Sequence, residues 1–234
     1  MRILFTICAR GNSKGIKNKN LKKINGKPLI YHTVKNALKI KKKNQVVISS
    51  DSNKIINLSK KLKINNLILR PKNLAKDNSA KIPVIRHALL KMEKKYNHKF
   101  PIIVDLDVTA PLRNENDING ALNKFIKYNY QTLFSVNKSR KNPYYNCVEI
   151  VKDKIKPVKR KKKYFSNRQS APSVYDMNAA ISIWKRNVLL NNETLFTNKT
   201  GIYVMPDERS IDIDSDFDFL VVNYLLNRKT RKTT

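Results

Sequence analysis

Three cations, Arg10, Lys14 and Lys19, follow an apolar run from Ile3 to Cys8 and share their segment with two glycines: Ala9-Arg10-Gly11-Asn12-Ser13-Lys14-Gly15, then Ile16-Lys17-Asn18-Lys19-Asn20-Leu21. A short strand can hold such a loop at the carboxyl edge of a sheet, where glycines let the backbone approach a ligand and cations meet phosphate. The loop is neither the dinucleotide fingerprint G-x-G-x-x-G nor a Walker loop. On spacing alone, an ordinary strand-to-helix connection in a lysine-rich chain competes with a nucleotide grip. Near the other end stands Ile211-Asp212-Ile213-Asp214-Ser215-Asp216-Phe217-Asp218. Aspartates this dense repel one another unless a cation or a helix terminus offsets them. If Ile211 to Ile213 ends a strand, alternation puts Asp212 and Asp214 on one side, where they can share a magnesium ion with substrate phosphate. Asp216 and Asp218 then cap a final helix suggested by Phe219 to Leu226. Gripping phosphate with Arg10, Lys14 and Lys19 while Asp212 and Asp214 hold magnesium is what phosphoryl or nucleotidyl transfer requires, with no protein nucleophile. His32, His87 and His98 fall in helix patterns and read as structural or surface groups.

To bring both ends together, the intervening elements must form a sheet with a common edge. Strand and helix patterns alternate through the first half, as a parallel sheet with crossover helices requires. The expected elements are a helix from Pro28 to about Ile40, a strand Gln45 to Ser50, and a helix carrying Ile55, Ile56, Leu58 and Leu62. A short strand Leu67 to Leu69, a helix Ile82 to Tyr96, and a central strand Phe100 to Leu106 follow. That strand runs into Asp107-Val108-Thr109-Ala110-Pro111-Leu112-Arg113 before a helix from about Glu115 to Tyr128, so this loop and the first should face one crevice. Beyond it the sequence predicts strands Thr132 to Val136, Asn146 to Val151 and Ala180 to Trp184. Residues 140 to 176 are polar and turn-rich, a candidate excursion, and residues 230–234 read as a disordered tail.

With 234 residues the chain has room for one sizeable core, and a single domain over 1–229 is expected. The formal net charge of +32, from 49 Lys plus Arg against 17 Asp plus Glu, invites a nucleic-acid reading. The lysines are spread along almost every segment, which favours a solvated basic surface suited to small anions. The densest run, Lys159 to Lys163, reads as a solvated loop. A binding protein for nucleic acid would need aromatic platforms along its positive groove, and only Tyr144, Tyr145, Tyr164 and Phe165 cluster; the aspartates would then have no purpose. No stretch is long and apolar enough to span a membrane, and the amino terminus lacks the order of a signal peptide, so a cytoplasmic protein is expected. Cys8 and Cys147 lack metal or disulfide spacing and are expected to pack as small apolar residues.

The run Cys8 to Gly15 with Lys19-Asn20-Leu21 resembles the amino-terminal signature of the acylneuraminate cytidylyltransferases, the CMP-sialic acid synthetase family. Further blocks occur in family order: Ser50-Asp51, Leu69-Arg70-Pro71, Thr109 to Arg113, Arg168-Gln169, Asn178 to Ile181, and Ser210 to Asp214. The resemblance implies a Rossmann-like α/β nucleotidyltransferase with a mostly parallel central sheet flanked by helices, plus a small excursion used for dimerisation. It implies that CTP reacts with a nine-carbon 2-keto sugar acid (a nonulosonic acid), with magnesium, to give the CMP-sugar and pyrophosphate, the anomeric hydroxyl attacking the α-phosphorus. By position it assigns Ala9, Arg10, Asn12, Ser13, Lys14, Lys19, Asn20, Asp107 and Arg113 to the nucleotide side. Arg10, Lys14, Lys19 and Asp212 become the catalytic set, and Asp212 with Asp214 the metal pair. Tyr144, Tyr145, Arg168, Gln169, Asp176 and Asn178 fall to the sugar side. A homodimer in which residues 140 to 176 approach the partner's site is expected.

Departures from the family pattern bear on the substrate. Sialic acid enzymes usually carry Leu-Gln-Pro-Thr-Ser-Pro-Leu-Arg, where this chain has Leu106-Asp107-Val108-Thr109-Ala110-Pro111-Leu112-Arg113, so a carboxylate replaces an amide and cannot donate a hydrogen bond. It could add a metal ligand or engage an amine or hydroxyl. Likewise Asp176-Met177-Asn178-Ala179-Ala180 stands where Arg-Pro-Asn-Gly-Ala is usual. Together with Arg140 to Tyr145 and Arg168 to Pro172, these resemble the bacterial legionaminic acid cytidylyltransferases, and Tyr144, Tyr145 and Met177 would suit that sugar's less polar substituents. Sialic, pseudaminic and Kdo acids are the alternatives, although the first loop does not match the Kdo pattern.

Overall fold

The computed structural model describes residues 2–12, 15–40, 45–76, 79–159, 165, 167 and 169–231. Its spine is β1 (Ile3–Cys8), which pairs in parallel on both sides. After β1 come a two-strand hairpin, β2 (Lys23–Ile24) and β3 (Lys27–Pro28), then α1 (Leu29–Ile40), β4 (Val46–Ser50), α2 (Asn53–Lys61) and β5 (Asn66–Leu69). Helix α3 (Lys81–Tyr96) crosses back to β6 (Ile102–Leu106), which joins β1 on the side opposite β4. Helix α4 (Glu115–Lys127) leads to β7 (Thr132–Lys138), and a second hairpin follows, β8 (Val148–Val151) and β9 (Lys154–Pro157). The remaining elements are β10 (Tyr175–Lys185), α5 (Arg186–Asn191), β11 (Thr200–Val204) and α6 (Asp216–Arg231).

The seven-stranded sheet runs β11-β7-β10-β6-β1-β4-β5. Winding reverses between β4 and β6 about β1, so the sheet has a topological switch point beside the carboxyl ends of β1 and β6, where α/β proteins bind ligands. Strand pleat assigns the residues of β1 and β6 to two cores. Ile3, Phe5, Ile7, Val104 and Leu106 pack with α1, α4 and α6, whereas Leu4 and Ile103 pack with α3 and α5. The same parity turns Thr6, Cys8 and Asp105 toward α3.

The expected strands and helices of the first half all form, with ends shifted by a residue or two. The second half differs more. The strand expected from Ala180 to Trp184 extends from Tyr175 to Lys185 and is antiparallel to both neighbours, with its register broken between Met177 and Ser182. The break lets one strand pair β6 at its end and β7 along both arms. Helix α5 and edge strand β11 lie outside the sequence-based expectation. The segment before α6 is not a strand: Ile213 is anchored by its N–H to the Thr109 carbonyl, 2.9 Å, in a connection without sheet pairing. His98 lies past the end of α3 with its ring in tilted contact with those of Tyr96 and Phe100, whereas His32 and His87 are helical.

Glu93 of α3 ties this layer to the β10–α5 junction. It accepts from the Phe100 N–H at 3.0 Å and from Arg186 Nε and Nη2 at 2.8 and 2.9 Å. Burial pushes this carboxyl up, but the guanidinium and the Phe100 amide outweigh it and hold it below the usual range. A carboxyl lowered on folding stabilises above its unfolded pKa and loses that contribution as pH falls through the folded value. Glu93→Gln is therefore expected to cost about 2 kcal/mol in urea unfolding at pH 7. The gap from wild type should close as the pH drops below the unfolded glutamate value of about 4.3.

Candidate active site

A crevice of about 470 Å³ opens at the switch point, lined among others by Cys8, Arg10, Gly15, Lys19, Asn20, Arg70, Lys81, Asp107, Ala179, Asp212 and Asp214. Front and end of the chain meet here. Lys19 Nζ lies 3.1 Å from Asp214 Oδ1 and also donates to the Ile213 carbonyl. Gly15 explains how close the backbones come, since a Cβ there would sit 2.5 Å from the Asp214 carbonyl oxygen. The first loop is braced from behind. Ala9, buried, donates its N–H to the Ser49 carbonyl; the Gly11 N–H reaches Asp51 Oδ1 at 2.9 Å; Asn20 Nδ2 donates to the Arg10 carbonyl at 2.8 Å.

The acidic end divides its labour. Ser215 Oγ accepts from the Asp218 N–H at 3.2 Å while Asp218 Oδ2 accepts from the Ser215 N–H at 2.8 Å and the Asp214 N–H at 3.1 Å, a reciprocal cap on α6. Burial would raise Asp218, but the Ser215 hydroxyl and these amides hold it below the usual range. Asp216 pairs with Lys22 at 3.2 Å. Asp212 behaves oppositely: burial, then the Asp214 charge, push its carboxyl up. A carboxyl raised by burial and by a neighbouring carboxylate is what a divalent cation relieves. No cluster of three or more His, Cys, Asp or Glu side chains able to hold a metal occurs among the described residues. A cation at Asp212 and Asp214 would therefore complete its shell with phosphate oxygens and water.

Other sequence-predicted site residues fall elsewhere. Ser13, Lys14 and Arg168 lie outside the described residues, as does most of the Lys159 to Lys163 run. Asn12 is exposed on the loop. Arg113 is 1% exposed and does not face the crevice; it donates to the Asp107 carbonyl at 3.1 Å, to Thr33 Oγ1 at 3.0 Å and to the Ala180 carbonyl, holding the 107–113 loop from beneath. Burial pulls this guanidinium down to about 10, with Asp107, Asp105 and Asp117 opposing, so it stays charged at neutral pH. Asn178 is also buried, accepting from Ser135 Oγ at 2.6 Å inside the β10 irregularity. Asp176 is exposed on β10 opposite Asn137. Tyr144, Tyr145 and Gln169 belong to the excursion. Tyr144 sits beneath Lys159, and Gln169 lines a separate cavity with Lys138, Arg140 and Asp207.

Two crevice residues received no site role from the sequence, although Arg70 stood in one of the family-like blocks. Arg70 is buried, with Nη2 on the Ser49 carbonyl at 2.9 Å. Lys81 Nζ stands 2.7 Å from Asp105 Oδ2 and 2.6 Å from Asp107 Oδ2. Burial alone would lower Lys81, but the two carboxylates reverse this and hold it well above the usual range. The same ammonium and the Thr109 amide and hydroxyl outweigh burial at Asp107, which lies at about 2. Asp105 is the end of an apolar strand and Lys81 the start of a helix, and nothing in their separation of 24 positions along the chain signals a pair. The available signal was an acid buried by its parity in β6. Cys8 borders the crevice as a free thiol, pushed up by burial and by Asp105.

An open α/β sheet whose switch point gathers lysine, arginine and paired aspartates defines a nucleotide-handling enzyme. The chain belongs to the cytidylyltransferase family, whose model matches residues 4–225, and it is a nucleotidyltransferase. It is 43% identical to the CMP-N,N'-diacetyllegionaminic acid synthase of Campylobacter jejuni, and 41% identical to the post-translational flagellin modification protein B of Campylobacter coli. Both matches run over 227 residues and cover 97% of this chain and 96% of the relative. Its fold is similar to the solved CMP:2-keto-3-deoxy-manno-octonic acid synthetase complexed with CTP, with a TM-score of 0.67 at 16% identity, covering 98% of this chain and 100% of that one.

Ala179, at the crevice wall, has φ +50, a left-handed conformation costly for a residue with a Cβ. Ala179→Gly is expected to raise stability by about 0.5 kcal/mol, strain relief exceeding glycine's unfolded-state entropy. Urea midpoints of the two proteins check it.

Proposed function

We propose that this cytidylyltransferase activates a nine-carbon nonulosonic acid of the legionaminic type with CTP, releasing pyrophosphate and the CMP-sugar. The observation that carries the reading is the meeting of Lys19 with Asp214 beside Asp212 and Arg10, which joins anion-binding cations to a metal-competent carboxylate pair. The name of the 43% identical relative supports the sugar class.

In this reading Arg10, Lys14 and Lys19 hold the triphosphate and lower the cost of charge that builds on its oxygens as the anomeric hydroxyl attacks. Asp212 and Asp214 would hold magnesium, whose chemistry is to neutralise phosphate charge and orient the α-phosphate. The Asp107 to Arg113 loop, clamped by Arg113 and Thr33, forms the opposite wall. The basic-surface alternative, a nucleic-acid-binding protein, has less support, because the paired aspartates would repel a polyanion at the crevice that Arg10, Lys19, Arg70 and Lys81 line.

The protein is read as a homodimer. Among the described residues hairpin β8–β9 pairs only with itself, and it exposes Val148, Ile150 and Ile155 at 65, 75 and 72%, an apolar surface of the kind a partner covers. No helix among the described residues is long and apolar enough to cross a membrane, and a cytoplasmic location is proposed.

Offered CTP with legionaminic, sialic, pseudaminic or Kdo acid in turn, the enzyme is expected to release pyrophosphate fastest with the legionaminic sugar; no release with any would overturn the reading. Asp212→Asn and Asp214→Asn should each lower turnover by at least about tenfold. Asp218→Asn should act on stability, by about 1 kcal/mol. Equal loss of activity in all three would contradict this division.

A further inference from the structure

Lys81 is an anomaly on helix grounds. It occupies the first position of α3, whose first turn contains no acidic residue, so its charge opposes the helix dipole. It is held there by two carboxylates. Asp105, 1% exposed, is anchored on its other oxygen by Thr6 Oγ1 at 2.6 Å. Asp107 has its Oδ1 taken by the Thr109 N–H and hydroxyl, both at 3.1 Å. Lys81 keeps 38% of its side chain exposed, and it lines the same crevice as Arg10 and Asp212.

Hydrogen-bond arithmetic shows what this unit still offers. An ammonium has three donors; among the described residues Lys81 donates one to Asp107 Oδ2 and stands in ion-pair contact with Asp105 Oδ2 at 2.7 Å, so that at most two are engaged. A carboxylate has about four acceptor positions, and Asp107 has filled three. One donor and one acceptor remain, side by side. The three charged groups sum to a net negative charge, which disfavours a phosphate or a carboxylate at this spot and suits a neutral group.

We propose that Lys81 is a substrate-contacting, specificity-determining residue that works with Asp107 as a donor–acceptor pair, reading a neutral acylamino or hydroxyl substituent of the sugar acid. This rests on the function proposed above. The acyl oxygen accepts from Lys81 and the amide N–H donates to Asp107; a hydroxyl can do both. Asp105 is the buried anchor that keeps the ammonium in place.

The test is steady-state pyrophosphate release with each substrate varied separately, on wild type, Lys81→Met and Lys81→Gln. The second variant retains amide donors for the two carboxylates and serves if the first does not fold. For N,N'-diacetyllegionaminic acid, KM should rise by about tenfold or more in either variant, while KM for CTP stays within about twofold. Lys81→Arg, which keeps charge and donors, should recover most of the loss. Equal rises in both KM values, or unchanged KM values with a lowered melting temperature, would overturn the proposal and leave Lys81 a structural counter-ion. A wild-type enzyme inactive with every sugar acid would instead end the functional reading itself.

Discussion

Carboxylates that share one crevice can coexist only where cations from other parts of the chain reach them, and that constraint organises this molecule. Lys81 arrives from the start of α3 to meet Asp105 and Asp107. Lys19 arrives from the first loop to meet Asp214. Asp212 has no cationic partner among the described residues, and its carboxyl is raised by burial and by Asp214. Among the described residues of the crevice, Asp107 and Asp214 each have a lysine partner and Asp212 has none.

The sheet makes these meetings possible. Because β4 and β6 flank β1 on opposite sides, the carboxyl ends of β1 and β6 open onto one switch point, and the loops that follow them become its two walls. Pleat parity then sends Asp105 and Thr6 toward α3, where Lys81 stands, while Phe5 and Val104 point to the other core. Arg113 shows how a polar residue can serve the site without facing it. Its guanidinium ties three backbone and side-chain acceptors together and fixes the loop that presents Asp107.

The second half of the chain departs from simple α/β winding. Strand β10 runs antiparallel to both neighbours, and its irregularity places Ala179 at the crevice wall in a left-handed conformation. Local strain at such a position is tolerated when the surrounding pairing over-determines it, and here Asn178 is locked by Ser135 on one side while Ala180 is held by the Arg113 guanidinium on the other. Tyr144, Tyr145 and Gln169 are not among the residues that line this crevice.

Much of the molecule was legible in its residues. The alternation of apolar runs with amphipathic helices revealed the parallel half of the sheet, because hydrophobic period is a local property. The meeting of the first loop with the acidic segment was legible from residue types, and Asp218 as a cap from its place ahead of the apolar Phe219 to Leu226 run. Tertiary structure alone decided which acids face which cations. The Lys81 trio joins residues from different elements, Arg113 and Asn178 turn inward although their types suggest ligand contact, and Asp212 and Asp214 sit on an unpaired connection rather than a strand. Those outcomes depend on strand order, register and parity across the whole sheet, which no local pattern encodes.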